Sequence, residues 1–236
     1  MVRYYRASAE QGNPRGTGEL GRCYFLGLGV PKDLSEAVRL YRLAGEKGYH
    51  KASRSLASCY RRGLGVPQND EEAAKWDELG WEQQRSALFN DNMEYIKQTP
   101  SGPGGAKAMG LMGKYYAYGF GTQQDFEQAK NWYLKSAEED GGYAKTSLFN
   151  FAALYVPEWG EIETDDFRNL EEGIKYLRLA AEKGSWEAQY RLGLCYDEGK
   201  GVLQDKNAAR HWIKKAADCG AGYGEAVEWL KRNEMK

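Results

Sequence analysis

The stretch Leu20-Gly21-Arg22-Cys23-Tyr24-Phe25-Leu26-Gly27-Leu28-Gly29-Val30 decides the fold, because the chain returns to it. Thirty-six residues on stands Leu56-Ala57-x-Cys59-Tyr60-x-x-Gly63-x-Gly65-Val66. Met112-Gly113-x-x-Tyr116-x-x-Gly119-x-Gly121 follows, and then Leu192-Gly193-x-Cys195-Tyr196-x-x-Gly199-x-Gly201-Val202. Each copy runs into the same second half: Asp33, Ala37, Tyr41 and Ala44; Asn69, Ala73 and Trp76; Asp125, Ala129, Trp132 and Tyr133; Asp205, Ala209 and Trp212. Self-similarity at a period of a few tens of residues is the mark of a repeat architecture.

Each unit resolves into two helices and a tight turn. Leu20 and Tyr24 are four apart and share a helix face, while Gly16 and Gly21 permit close approach. Gly27 falls where a helix C-cap needs positive φ. Asp33 with Glu36 reads as a capping box opening the second helix, repeated as Asn69 with Glu72, Asp125 with Gln128 and Asn169 with Glu172. Asp205 alone lacks the reciprocal partner, since Ala208 follows. Ala37, Tyr41 and Ala44 supply the buried stripe of that second helix. One such hairpin cannot bury its own apolar face, so stability must come from stacking. A bulky side chain at Ala73 or Ala209 is expected to cost about 1–3 kcal/mol by overpacking.

The expected order is an N-terminal half-repeat over 1–15, with Tyr5, Ser8, Ala9 and Gly12, then repeats at 16–51 and 52–83. An inserted helix and Pro/Gly loop occupy 84–107, with Leu88, Met93 and Ile96 near one helix face and Thr99-Pro-Ser-Gly-Pro-Gly-Gly as a breaker-rich linker. This insertion reads as an extended helix offsetting two sub-arrays, or as a partner-docking helix. Repeats resume at 108–141, a degenerate repeat at 144–184 carries a long acidic loop from Val156 to Asp166, another repeat fills 185–220, and a closing helix takes 221–236.

This pattern resembles the Sel-1-like repeat, a relative of the tetratricopeptide repeat with about 36 residues and a Gly-x-Gly-Val turn. The resemblance covers nearly the whole chain apart from the insertion. It implies an all-α fold, an α/α superhelix or solenoid of about five helix-turn-helix repeats. It says little about function, because the family serves scaffolds, adaptors, degradation complexes and secreted effectors.

Bulk properties narrow the field. Thirty-three Lys and Arg against 34 Asp and Glu leave a net charge of −1, with no global field to draw nucleic acid. No apolar run approaches the roughly 20 residues that span a bilayer. Cys23, Cys59 and Cys195 share one slot of the repeat, and equivalent points on packed helices lie about 8–10 Å apart. That exceeds what a disulfide tolerates, so buried free thiols are expected. The absence of a glycosylation sequon and of a secretory start points to a cytoplasmic setting. The alternative is an exported host-interaction or cell-envelope protein whose signal has been removed.

Catalytic chemistry is not apparent. His50 and His211 have no paired acid or thiol in a recognisable motif. Gly16-x-Gly18-x-x-Gly21 matches a dinucleotide fingerprint in letters, yet Gly21 occupies a helix slot filled elsewhere by Ala57, Gly113 and Gly193. Gly110-Leu-Met-Gly113-Lys114 lacks the rest of a phosphate loop, and Glu161–Asp166 reads as solvated loop. No enzyme activity, cofactor or metal is expected.

The resemblance to tetratricopeptide arrays implies that the first helices line a concave face. Positions two before, two after and five after the core Leu should point into it. These are Gly18, Arg22 and Phe25; Arg54, Ser58 and Arg61; Gly110, Lys114 and Ala117; Tyr190, Leu194 and Asp197. Arg22, Phe25, Arg54, Arg61, Lys114 and Tyr190 are the candidate partner-binding residues. The expected partner is a protein or peptide, either an acidic segment or a C-terminal carboxylate held by guanidinium groups. The alternative is a set of ordinary solvated charges.

Overall fold

In a computed structural model of the chain, residues 1–139, 142–156, 169–219 and 224–234 are described. They form twelve helices and, among the described residues, no strand. Helices α1 (Val2–Glu10), α2 (Pro14–Leu26), α3 (Leu34–Glu46), α4 (His50–Arg62) and α5 (Asp70–Gln98) lead. They are followed by α6 (Gly102–Tyr118), α7 (Phe126–Glu138), α8 (Gly142–Leu154) and α9 (Leu170–Glu182). The last are α10 (Trp186–Glu198), α11 (Lys206–Ala217) and α12 (Gly224–Glu234). Two compact units divide the chain, Met1–Leu88 and Phe89–Lys236. Each is an α-helical repeat in which first helices (α2, α4, α6, α8, α10) alternate with second helices (α3, α5, α7, α9, α11).

The Gly-x-Gly turn has a distinct task for each glycine. Gly63 ends α4 in the left-handed conformation at φ 63°, returning its N–H to the Cys59 carbonyl. Gly65 is also at positive φ, and a Cβ there would strike the Leu34 carbonyl at the start of the preceding second helix. The second glycine thus lets one repeat's turn lie directly on its predecessor. Gly201 bears on Leu170 in the same way.

The N-caps form as expected in one direction only. Asp33, Asn69, Asp125, Asn169 and Asp205 each accept a hydrogen bond from the backbone N–H three residues on, at 2.9–3.1 Å. The reciprocal half of the capping box is replaced. The N–H groups of Asp33, Asn69, Asp125 and Asp205 donate instead to the carbonyls of Tyr24, Tyr60, Tyr116 and Tyr196, at 2.9–3.0 Å. The freed acids turn outward, Glu36 to Arg39, Glu72 to Lys75 and Glu172 to Lys175.

In unit 1 the core gathers Ala37, Tyr41, Ala44, Leu56, Cys59 and Trp76. Its counterparts in unit 2 centre on Tyr133 with Phe151, and on Leu177 with Leu192 and Cys195. The small slot of the first helix is matched to its own second helix: Gly21 lies under Tyr41, Gly113 under Tyr133 and Gly193 under Ile213. In the second repeat, where Asp77 takes the position of Tyr41, the slot carries Ala57. Arg42 donates to the hydroxyl of Tyr60 in the next first helix, and Arg178 repeats the bond to Tyr196 at 2.7 Å.

One expectation is corrected. The insertion contributes no long Pro/Gly loop, since only residues 99–101 separate α5 from α6. Pro103 falls in the first turn of α6, where its missing N–H costs nothing. Gly105 leaves the space that a Cβ would need 2.7 Å from the Thr99 carbonyl. The sequence from Glu82 to Gln98 holds no breaker and simply lengthens α5 to 29 residues. Cys23, Cys59 and Cys195 are buried free thiols, but Cys219 is exposed. The acidic loop lies outside the described residues.

Candidate functional site

The first helix of each repeat has neighbours on both flanks, and these decide which of its residues reach solvent. Position two before the core Leu faces the next first helix in the first and third repeats, not a groove. A Cβ on Gly18 would meet the ring of Tyr49, the N-cap of α4, at 2.5 Å and Ala52 of α4 at 3.3 Å, and one on Gly110 would meet Ser147 of α8. Arg54 stacks on Trp81 of α5, with its guanidinium 4.3 Å from a ring centroid. Tyr190 packs around Ile213, Ala216 and Ala226 with Trp229 and Leu230 of α12, as does Leu194. The closing helix therefore covers Tyr190, and it is not an open binding residue.

Position five after the core Leu turns toward the repeat's own second helix. The Phe25 ring lies 6.3 Å from that of Tyr41. Arg61 forms an ion pair with Asp77. Ala117 is fully buried, and Asp197 is bound by Lys206 at 2.6 Å. Of the expected positions, Arg22, Arg54, Arg61 and Lys114 are exposed, Arg54 and Arg61 while engaged by Trp81 and Asp77, and Ser58 and Leu194 are half-buried.

The open stripe consists of positions five before, one before, two after and six after the core Leu. At 100° per residue these fall within a sector of about 60°. In unit 1 they are Arg15, Glu19, Arg22 and Leu26 on α2, and Lys51, Ser55, Ser58 and Arg62 on α4. Arg15, Glu19 and Arg22 share a cleft of about 570 Å³ with Tyr4, Tyr5 and Ser8. Sequence reasoning missed Arg15, Lys51 and Arg62. Their signal was present, because the residue five before the core Leu is Arg15, Lys51 and Lys107 in the first three copies.

The charge on this layer is one-sided. Helices α2 and α4 carry Arg15, Arg22, Lys51, Arg54, Arg61 and Arg62 against a lone acid, Glu19. Arg22 meets Glu19 at 3.5 Å, the edge of a useful contact, and Glu19 is otherwise engaged by the Tyr49 hydroxyl at 3.0 Å. Burial and that bond push Tyr49 up to about 12. Burial, with Lys51 and Arg54 adding to it, holds His50 below the usual histidine range. Arg15, Lys51 and Arg62 form no ion pair with the described residues.

Among the described residues no three His, Cys, Asp or Glu converge on a metal position, and no helix is long and apolar enough to cross a membrane. Gly16, Gly18 and Gly21 all lie inside α2 and are filled by Ser8, Tyr49, and Leu40 with Tyr41, so this triplet is no phosphate loop.

The chain matches the Sel1 repeat over residues 2–13, 18–49, 50–76, 106–141, 153–185 and 186–220, most of its length. It belongs to the Sel1 repeat family. Sel1 repeats bind proteins, and scaffolds built from them are in general non-catalytic. Among curated relatives is chitin synthase regulatory factor 3 of Schizosaccharomyces pombe, 31% identical over 118 residues, which are 50% of this chain and 12% of that protein. Another is the ERAD-associated E3 ubiquitin-protein ligase component HRD3B of Arabidopsis thaliana, 28% identical over 133 residues, 54% of this chain and 20% of that protein. The chain thus spans a fifth or less of these relatives. Solved structures similar to it include a Sel1 repeat protein from Oxalobacter formigenes, with 28% identity, 93% of this chain, 81% of that one and a TM-score of 0.41. A protective antigen of uropathogenic Escherichia coli with an SLR fold shares 28% identity over 92% of this chain and 48% of its own, with a TM-score of 0.39.

Proposed function

We propose that this Sel1 repeat chain is a non-catalytic adaptor that holds an acidic segment of a protein partner on the first helices of unit 1. The observation that carries this reading is the excess of six cations over one acid on α2 and α4, with Arg15, Lys51 and Arg62 free of ion pairs among the described residues. Guanidinium groups at Arg15 and Arg22 suit bidentate capture of carboxylates, and Lys51 and Arg62 extend the same field along the neighbouring helix. The names of two relatives, a regulatory factor and a ligase component, accord with a role in holding other proteins.

Fluorescence anisotropy with labelled decapeptides tests the reading. An Asp/Glu-rich peptide should bind the full chain and weaken as salt rises, while its Asn/Gln counterpart should not bind. Arg15→Glu with Lys51→Glu should reduce acidic-peptide affinity at least tenfold, and Arg22→Ala with Arg54→Ala should reduce it measurably. Equal binding of the neutral peptide, or full affinity in the charge-reversed protein, would overturn the assignment.

A further inference from the structure

Helix α6 carries a second exposed face of different chemistry. Lys107, Leu111, Lys114 and Tyr118 occupy its open stripe and are all exposed, Leu111 at 36% and Tyr118 at 38%. The order is a cation, an apolar residue four later, a cation three later and an apolar residue four later still. A cation and an apolar side chain therefore alternate with a period of seven. Helix α6 has no acidic residue, and neither does α8 beside it, where Tyr143 is exposed at the position equivalent to Lys107. Lys107 forms no ion pair among the described residues, and Lys114 lies against the Tyr118 ring at 5.8 Å. The insertion also makes α6 longer than the other first helices, 17 residues against 13.

We infer that this face docks an amphipathic acidic helix of a partner protein, one that repeats a carboxylate and an aliphatic side chain every seven residues. Lys107 and Lys114 are seven apart, about 10 Å along the axis, and a partner helix repeats its own side chains at that interval. Its aliphatic residues would rest on Leu111 and Tyr118 while its carboxylates meet the two ammonium groups, the seam used by paired helices. The charge complement favours an acidic occupant over a second copy of this face, which would set lysine against lysine. The inference rests on the proposed role in holding proteins, but it concerns a separate surface and a partner with order in its apolar residues.

The test compares two labelled 21-residue peptides of identical composition. One carries Glu and Leu in register at seven-residue intervals, and the other scrambles the order. The full chain should bind the registered peptide at least tenfold more tightly. Lys107→Glu with Lys114→Glu should bring the registered peptide down to the affinity of the scrambled one, and Leu111→Asn should erase the preference without changing helical content by circular dichroism. Reversal at Arg15 and Lys51 should weaken the scrambled peptide and spare the tighter binding of the registered one, so it reports on the unit 1 site and not on this one. Equal binding of the two peptides, or a preference that survives Leu111→Asn, overturns the inference. So does a dimer that Leu111→Asn dissolves, or binding to anionic phospholipid vesicles in place of the peptide.

Discussion

Gly113→Ala should destabilise unit 2 by about 2 kcal/mol, although alanine is the better helix former. A Cβ at this position would stand 2.6, 2.7 and 2.8 Å from three atoms of the Tyr133 ring, against the roughly 3.5–4.0 Å of a comfortable carbon contact. Tyr133 is 1% exposed and bears on the Phe151 ring at 6.1 Å, so it cannot swing aside without disturbing the next repeat. Overpacking of this severity belongs near the top of the range of about 1–3 kcal/mol. The gain in helix propensity on replacing glycine returns about 1 kcal/mol. Gly142 provides the control, because nothing lies within 4 Å of its Cβ position. Gly142→Ala should raise stability by up to about 1 kcal/mol. Urea unfolding followed by circular dichroism reads both. With a slope of about 2 kcal/mol per molar, Gly113→Ala should lower the midpoint by about 1 M. A Gly113→Ala protein as stable as its parent would refute the claim that Tyr133 fixes the size of this slot.

The N-caps predict a smaller effect: Asp125→Ala should cost about 1 kcal/mol by urea unfolding, and Asp125→Ser should recover most of it. A thiol reagent should modify Cys219 promptly and reach Cys23, Cys59 and Cys195 only after denaturation, since burial also pushes the Cys23 and Cys59 thiols up and suppresses their thiolates. Stability should fall in alkali. Tyr49 titrates near 10 when unfolded and about 12 when folded, so the folded state holds its proton longer, and this contribution is complete below pH 10 and lost as pH climbs to 12. Urea midpoints between pH 9 and 12 check the sign, and Tyr49→Phe should show a shallower decline.

What could be read from the sequence was what local chemistry dictates. Gly27 and Gly63 at helix ends, Asp33 and Asn69 at helix starts, and the buried Leu and Tyr of the first helix are each fixed within a few residues of chain. The misreadings all concern neighbours distant in sequence. Periodicity located the face of Leu20 but not which flank another helix would cover. Thus Gly18, Ala117 and Tyr190 were expected in the open and are packed, while Arg15, Lys51 and Lys107 were passed over. Glu36 satisfied the capping pattern in spacing, yet the Tyr24 carbonyl had already taken the N–H it would have accepted. Pro103 and Gly105 looked like a linker because their composition disfavours helix, and the close return of the chain past Thr99 was invisible in one dimension.

The bond from the N-cap amides of Asp33, Asn69, Asp125 and Asp205 to tyrosine carbonyls has an evolutionary corollary. Because that bond joins main-chain atoms alone, it does not depend on which side chains lie between its ends. Pro31-Lys32, Pro67-Gln68, Gln123-Gln124 and Leu203-Gln204 occupy the same place; the first residue varies, whereas Gln recurs in the second, and Gln124 and Gln204 donate to the carbonyls of Ala117 and Asp197. The first position of each corner is accordingly where new side chains can be tried, by drift or by an engineer, while the helices keep their alignment.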